Sequence, residues 1–281
     1  MDIILRQQPF QRVIGRVREV VSLQSERAVS GRTFKVTDRN GKLYKLHSAD
    51  SLKTALLIER NVSLAPHVFP QFYGREGRFL LFDWIEGRTL TKEESPDVYE
   101  KIGRLCADVH NLNDVQEKDL AEEFFSRLAK ISTDIFTDQE KSFIADTFRN
   151  LNQKLRVDIV LGINDIHRVN FMVDFQDNVY FVDEGGLLHQ AKGLGQARAF
   201  LSWFTAEARH AFEQGYKEKH SLDYFDKDYE KFMTLMECLR AIFYRSTHNV
   251  PKEKFATEVE WIRAQCGLNS VFYRMRRWWN A

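Results

Sequence analysis

The sequence predicts an α+β chain, in which a small antiparallel sheet with one helix precedes a larger, mainly helical part. Three observations carry this. In TFKVTDRNGKLYKLHS (33–48), Asn40-Gly41 stands between two alternating segments, the strongest short-range signal for a hairpin. From Val98 onwards apolar residues recur at helical spacing. Between the two regimes, Ile85-Glu86-Gly87-Arg88-Thr89-Leu90 leads out of the last strand, which puts a boundary between residues 1–86 and residues 87–281.

The elements follow in order. Lys45 lies on the second strand of the first hairpin. Ser48, Ala49 and Asp50 supply a helix start, and Leu52, Ala55, Leu56, Ile58 and Glu59 continue at helical spacing until Pro66 stops it. Segments 68–73 and 79–84 read as strands on either side of the turn Gly74-Arg75-Glu76-Gly77. Val98, Ile102, Leu105, Val109 and Leu112 form one face of a long helix. Further helices are expected over 120–131, 138–155, 195–215, 228–246 and 252–266.

Among these helices stands one strong strand pair, Phe171-Met172-Val173 and Val179-Tyr180-Phe181-Val182, joined by an Asp- and Asn-rich turn. In a simple antiparallel hairpin, paired positions have a constant sum, so Phe171 faces Val182 and Asn170 faces Asp183. An amide and a carboxylate then lie side by side, with β-carbons about 5 Å apart. Such oxygen donors suit magnesium, which takes one or two carboxylates and completes its shell with phosphate and water. Asp165 enters the same region five residues before Asn170.

The totals narrow the function classes. The 281 residues are 43% hydrophobic, enough for a real core, and 41 basic against 40 acidic residues leave a net charge of +1. Nothing in that balance suggests a nucleic-acid partner. Cys106, Cys238 and Cys266 fit neither a disulfide framework nor a zinc cluster, which points to a reducing cytoplasm. MDIILRQQPF lacks the long apolar region of a signal peptide, and no apolar run approaches the roughly 18 residues of a membrane span.

Asp165, Asn170 and Asp183, followed by Glu184-Gly185, resemble the catalytic loop and metal-binding segment of the protein-kinase-like superfamily, most of all its aminoglycoside phosphotransferase and choline kinase branch. There the loop typically reads His-Gly-Asp-x-His-x-x-Asn; here it is Ile163-Asn164-Asp165-Ile166-His167-Arg168-Val169-Asn170. The aspartate, second histidine and asparagine match, whereas Ile163 and Asn164 replace the first histidine and the glycine. Arg104 to His110 and Phe212-Glu213-Gln214-Gly215-Tyr216 resemble two further helical motifs of the branch.

The resemblance implies a two-lobed protein-kinase-like fold and transfer of the terminal phosphoryl group of ATP, or another nucleoside triphosphate, to a hydroxyl. Asp165 would be the base, and Asn170 and Asp183 would hold Mg2+. Lys45 would hold the nucleotide phosphates and Glu59 would orient it. Asp83-Trp84-Ile85-Glu86-Gly87 would be the hinge whose backbone groups, at Asp83 and Ile85, meet the adenine, His167 would support the loop, and 25–32 stands where a phosphate-covering turn belongs. Protein kinases follow the metal-binding aspartate with a long activation segment ending in Ala-Pro-Glu. This chain has no proline between Pro96 and Pro251, so a small-molecule hydroxyl is the expected acceptor. A non-catalytic nucleotide-binding regulator and a protein kinase are the alternatives.

Two further stretches stay open. Asp223, Asp226, Asp228 and Glu230 with Tyr224, Phe225 and Tyr229 could hold a cationic amine or form a solvated acidic loop. Arg274-Met275-Arg276-Arg277-Trp278-Trp279 could meet phosphate-rich partners or fold back on its own domain.

Overall fold

The computed structural model describes residues 5, 8–23, 31–112, 118–220 and 226–268. In chain order, helix α1 (Gln8–Ile14) precedes strands β1 (Val17–Leu23), β2 (Gly31–Asp38) and β3 (Leu43–Ala49). Helix α2 (Leu52–Leu64) leads to β4 (Phe72–Glu76), β5 (Phe79–Asp83) and β6 (Gly87–Thr89). Next come α3 (Pro96–His110), α4 (Leu120–Lys130), α5 (Asp138–Lys154), β7 (Ile159–Ile163), β8 (Phe171–Asp174), β9 (Val179–Phe181) and β10 (Leu187–Ala191). The chain continues as α6 (Leu194–Ser202), α7 (Ala206–Lys217), α8 (Lys227–Thr247) and α9 (Ala256–Gln265).

These elements form two compact units, and neither is a continuous piece of chain. The first comprises residues 1–112, 167–187 and 206–219; the second comprises 113–166, 188–205 and 220–281.

In the first unit an antiparallel sheet has the order β1-β2-β3-β5-β4. Asn40-Gly41 turns the β2–β3 hairpin with Gly41 at φ 86, a conformation that costs glycine little, and Lys45 stands opposite Lys35. Phe10, Ile14, Val36, Tyr44, Leu46 and Leu81 bury one face of this sheet. Ser51 starts α2 by accepting a hydrogen bond from the Thr54 amide at 3.0 Å. A second sheet, β6-β8-β9, carries the later hairpin.

Helices α3 and α7 of this unit meet at backbone distance because a glycine stands at each contact. A β-carbon on Gly103 would fall 2.2 Å from the Phe212 carbonyl oxygen, and one on Gly215 would fall 2.0 Å from that of Glu100. Beside them, buried His110 shares a 2.7 Å hydrogen bond with the Tyr216 hydroxyl, so this histidine is structural.

In the second unit β7 pairs with β10, and α4, α5 and α8 stack their phenylalanines. Phe148 lies 3.8 Å from Phe124 and 4.9 Å from Phe232, ring centre to ring centre. Thr137 and Glu140 close a capping box on α5, and Glu140 also receives Arg263 at 3.0 Å. Cys106 in the first unit and Cys238 in the second are buried and free, and burial pushes both thiols up, away from reactivity.

The strand expected over 68–73 lies instead at Phe72–Glu76, so residues 74–76, expected in a turn, belong to β4 and only Gly77-Arg78 turn. Three further sequence expectations change. The helix expected over 195–215 is two, because the chain breaks after Ser202. There the Trp203 backbone closes α6 on Ala199 at 3.1 Å, and its indole donates to the Ile166 carbonyl at 2.8 Å. No glycine or proline marks that break, which is made by a tertiary bond. Strands β6, β7 and β10 join a region expected to hold one strand pair.

The third change is the register of β8 and β9. Phe171 faces Phe181 and Val173 faces Val179, and the Val182 amide donates to the Asn170 carbonyl at 2.8 Å. Asn170 is thus opposite Val182, one residue short of Asp183. The turn decides this: Asp174 and Asn178 close it, with Asp177 at φ 60 completing a three-residue loop.

Candidate active site

In the first unit the sheet lysine meets the segment around Asp183, which is expected to bind a metal. Strand β3 aims Lys45 so that Nζ donates to Glu184 Oε1 at 2.6 Å and to the Val182 carbonyl at 3.3 Å. Those acceptors belong to the two neighbours of Asp183. The pair is well sheltered, with 17% of the Lys45 and 5% of the Glu184 side chain exposed.

Glu59, expected to orient Lys45, bonds elsewhere. Its Oε2 receives Arg75 Nε at 2.7 Å, whereas the helix position facing inwards is Asn61, which is fully buried. Asn61 Nδ2 donates to the carbonyls of Glu184 at 3.0 Å and Leu187 at 3.3 Å. Helix α2 therefore grips the segment after Asp183 by its backbone, and Glu184 supplies the charge for Lys45. The sequence reading named Glu184 beside Asp183 without giving it this role, and it missed Asn61. The signal that could have found Asn61 is periodicity, since it falls three residues after Ile58 on the buried face.

Asn170 ends a short 3₁₀ turn, Arg168–Asn170, and its amide donates to the His167 carbonyl at 2.9 Å. Asp183 is followed by a tight turn, with the Gly186 amide on its carbonyl at 2.8 Å. A β-carbon at Gly186 would lie 2.8 Å from Asp183 Oδ2 and 2.9 Å from the Phe181 ring, so glycine is needed here. An amide oxygen and a carboxylate are hard donors that fit magnesium. Among the described residues no group of three or more His, Cys, Asp or Glu could hold a metal ion, so phosphate and water would complete the shell.

At the expected hinge, Asp83 ends β5 and Trp84 to Glu86 run between β5 and β6, with Ile85 half-buried. The Asp83 amide donates to the Gln71 carbonyl at 2.8 Å, and its carboxylate accepts from the Tyr73 hydroxyl at 2.7 Å. Lys42 stands 3.3 Å from the same carboxylate, and the Tyr73 hydroxyl and Asp83 hold its ammonium above the ordinary value. The Asp83 side chain is engaged within the sheet.

Asp165 belongs to the second unit, where helices hold it. Arg198 on α6 stands 3.2 Å from Asp165 Oδ1. Glu237 on α8 lies 3.8 Å from Arg198 and 2.8 Å from Arg240. Burial pushes the Glu237 carboxyl above its ordinary value despite the two arginines. Gln190 on β10 donates to the Ile163 carbonyl at 3.0 Å, and Gly195 allows the close approach, since a β-carbon there would fall 2.0 Å from that oxygen.

Of the acidic and aromatic residues considered for a cationic amine, Asp226 caps α8 by accepting from the Tyr229 amide at 2.7 Å. Tyr229 is buried, with its hydroxyl on the Lys192 carbonyl at 2.9 Å. Both do structural work. Residues 223–225, 25–30 and 274–279 lie outside the described residues, while Gly31 and Arg32, the end of the expected phosphate-covering turn, belong to β2 and pair with Ala49 and Ser48.

No protein-family model matches the sequence, and no curated protein does. Solved structures do match. Choline kinase LicA from Streptococcus pneumoniae has a TM-score of 0.65 at 15% identity, covering 94% of this chain and 98% of its own. Spectinomycin phosphotransferase in complex with ADP and spectinomycin has a TM-score of 0.59 at 15% identity, over 90% and 91% of the two chains. The ethanolamine kinase of Plasmodium vivax has a TM-score of 0.60 at 13% identity, over 92% and 84%. The chain has the α+β protein-kinase-like fold. Among the described residues no helix is long and apolar enough to cross a membrane.

Proposed function

We propose that this protein is an ATP-dependent phosphotransferase that moves the terminal phosphoryl group to a hydroxyl of a small molecule. The observation that carries this reading is the bonding of Lys45, from the nucleotide-binding sheet, to both neighbours of Asp183. In functional terms residues 1–86 serve the nucleotide, with the Asp83–Ile85 backbone at the adenine. Residues 87–281 supply the base and the metal-binding pair.

Asn170 and Asp183 would hold Mg2+, which when bound neutralises charge on the phosphates. Lys45 offers a compact cation to the phosphate oxygens, exchanging Glu184 for them. Asp165 orients the acceptor hydroxyl and takes its proton; the oxygen bonds to phosphorus as the bond to the nucleoside diphosphate breaks. Such a reaction depends mostly on placement and charge, which these few groups supply.

The acceptor is best sought among small molecules. Only Glu184 to Gly186 separate Asp183 from β10, too short a stretch for a peptide-docking activation segment. The fold neighbours are named for choline, ethanolamine and spectinomycin, which makes amines and amino alcohols the first acceptors to try. The cytoplasm, where ATP and Mg2+ are available, is the compartment this reading requires.

Phosphate transfer from radiolabelled ATP with Mg2+ to a panel of amines, amino alcohols, sugars and aminoglycosides tests this. Wild type should label at least one acceptor, and Asp165→Ala should abolish labelling while nucleotide still raises its melting temperature. Ile163 and Asn164, where the family has histidine and glycine, favour a second reading as a nucleotide-binding regulator. Nucleotide-dependent stabilisation without transfer to any acceptor would select it.

A further inference from the structure

The residue that replaces the family's glycine is one that the second unit takes hold of. Asn164 Oδ1 accepts from Arg240 NH1 at 2.7 Å. Arg240 in turn gives Nε and NH2 to Glu237 Oε2, each at 2.8 Å. The other oxygen of Glu237 lies 3.8 Å from Arg198 Nε, and Arg198 NH1 stands 3.2 Å from Asp165 Oδ1. Two consecutive loop residues are thus tied to one carboxylate through two guanidinium groups. Gln190 on Ile163 and Trp203 on Ile166 fasten the loop on either side.

Glu237 is the fixed point of this chain of charges. Its side chain is 5% exposed, against 36% for Arg198 and 30% for Asp165. An exposed Arg–Asp pair alone directs a carboxylate weakly. A buried carboxylate has no solvent to turn to, so it keeps both guanidinium groups in place.

We propose that Glu237 and Arg240 are positioning residues for the phosphotransferase reaction, using the Asn164 side chain as a handle to set the loop that presents Asp165. This rests on the reading of Asp165 as the base. It gives the departure at Asn164 a role: a glycine offers no handle, whereas an asparagine gives Arg240 an amide oxygen to bond.

The test uses Arg240→Met, Asn164→Ala and the double variant, which remove one bond from its two ends. Hydrogen exchange of the amides of residues 163–166 reports on the loop; ATP turnover with Mg2+ reports kcat and KM. Each single variant should raise loop exchange and lower kcat, by up to about a hundredfold, with KM for ATP unchanged. The double variant should be no worse than the worse single one, because both delete the same bond. Unchanged exchange in both single variants, or losses that add in the double, would overturn the proposal. Should Arg240→Met fail to fold, Asn164→Ala decides alone. Should wild type turn over no ATP, the reading of Asp165 fails, while the exchange measurements still show whether the handle exists.

Discussion

Lys45 Nζ lies 2.6 Å from Glu184 Oε1, while Glu59 Oε2 receives Arg75 Nε at 2.7 Å. A single step along the chain separates Glu184 from Asp183, so the lysine partner travels with the acid proposed to hold Mg2+. Both members of the pair are sheltered, and removing one leaves a buried charge uncompensated. Lys45→Met and Glu184→Gln should each cost about 3 kcal/mol in urea unfolding. The double variant should cost clearly less than the two together. Losses that simply add would mean the two side chains do not depend on each other.

Asn61→Leu keeps the branching at Cγ and removes two donated bonds. The Glu184 and Leu187 carbonyls then lose a buried partner, for about 1–3 kcal/mol. Amide exchange over residues 183–187 should rise more than over β3. Equal changes in both segments would show that Asn61 acts on the whole unit.

Gly103→Ala and Gly215→Ala set two effects against each other. Alanine in a helix interior gains about 1 kcal/mol over glycine. Here its β-carbon would fall 2.2 Å or 2.0 Å from a carbonyl oxygen of the facing helix, so α3 and α7 must move apart. Overpacking against rigid backbone costs about 1–3 kcal/mol. A lowered melting temperature is expected for both variants, and a raised one would show that the contact yields.

Glu237→Gln should change how stability depends on pH. Burial raises the folded-state value of Glu237 above its ordinary 4.5, so the folded protein binds this proton more tightly than the unfolded chain. That contribution is complete below 4.5 and is lost as pH rises through the raised value. In urea unfolding from pH 4 upwards, at about half-unit steps, the stability of wild type relative to the glutamine variant should fall through that window and then level. A relative stability that climbs with pH instead would mean the arginines outweigh burial.

Local rules made much of this fold legible. Asn40-Gly41 fixed a hairpin that carries Lys45, and helical spacing up to Pro66 placed α2, although Ser48 and Ala49, expected to start it, end β3 and Ser51 caps it. What local rules cannot encode is partnership across the chain. Glu184 is 139 positions from Lys45, Asn61 is 123 from Glu184, and Arg240 is 76 from Asn164. No periodicity links such pairs. The hairpin of Asn170 missed by one residue for a different reason: alternation gives a strand its faces, but the left-handed Asp177 sets which residues close the turn.

The chain passes between its two units after residues 112, 166, 187, 205 and 219. No single cut can therefore release either unit whole, and expressing 1–86 or 87–281 alone should yield neither. During synthesis the same threading imposes an order of events. The first unit lacks α7 until residue 219 has left the ribosome, by which time much of the second already trails outside it. With each unit waiting on chain interleaved with the other, the nascent protein must keep Lys45 without Glu184 for well over a hundred residues, about ten seconds of translation.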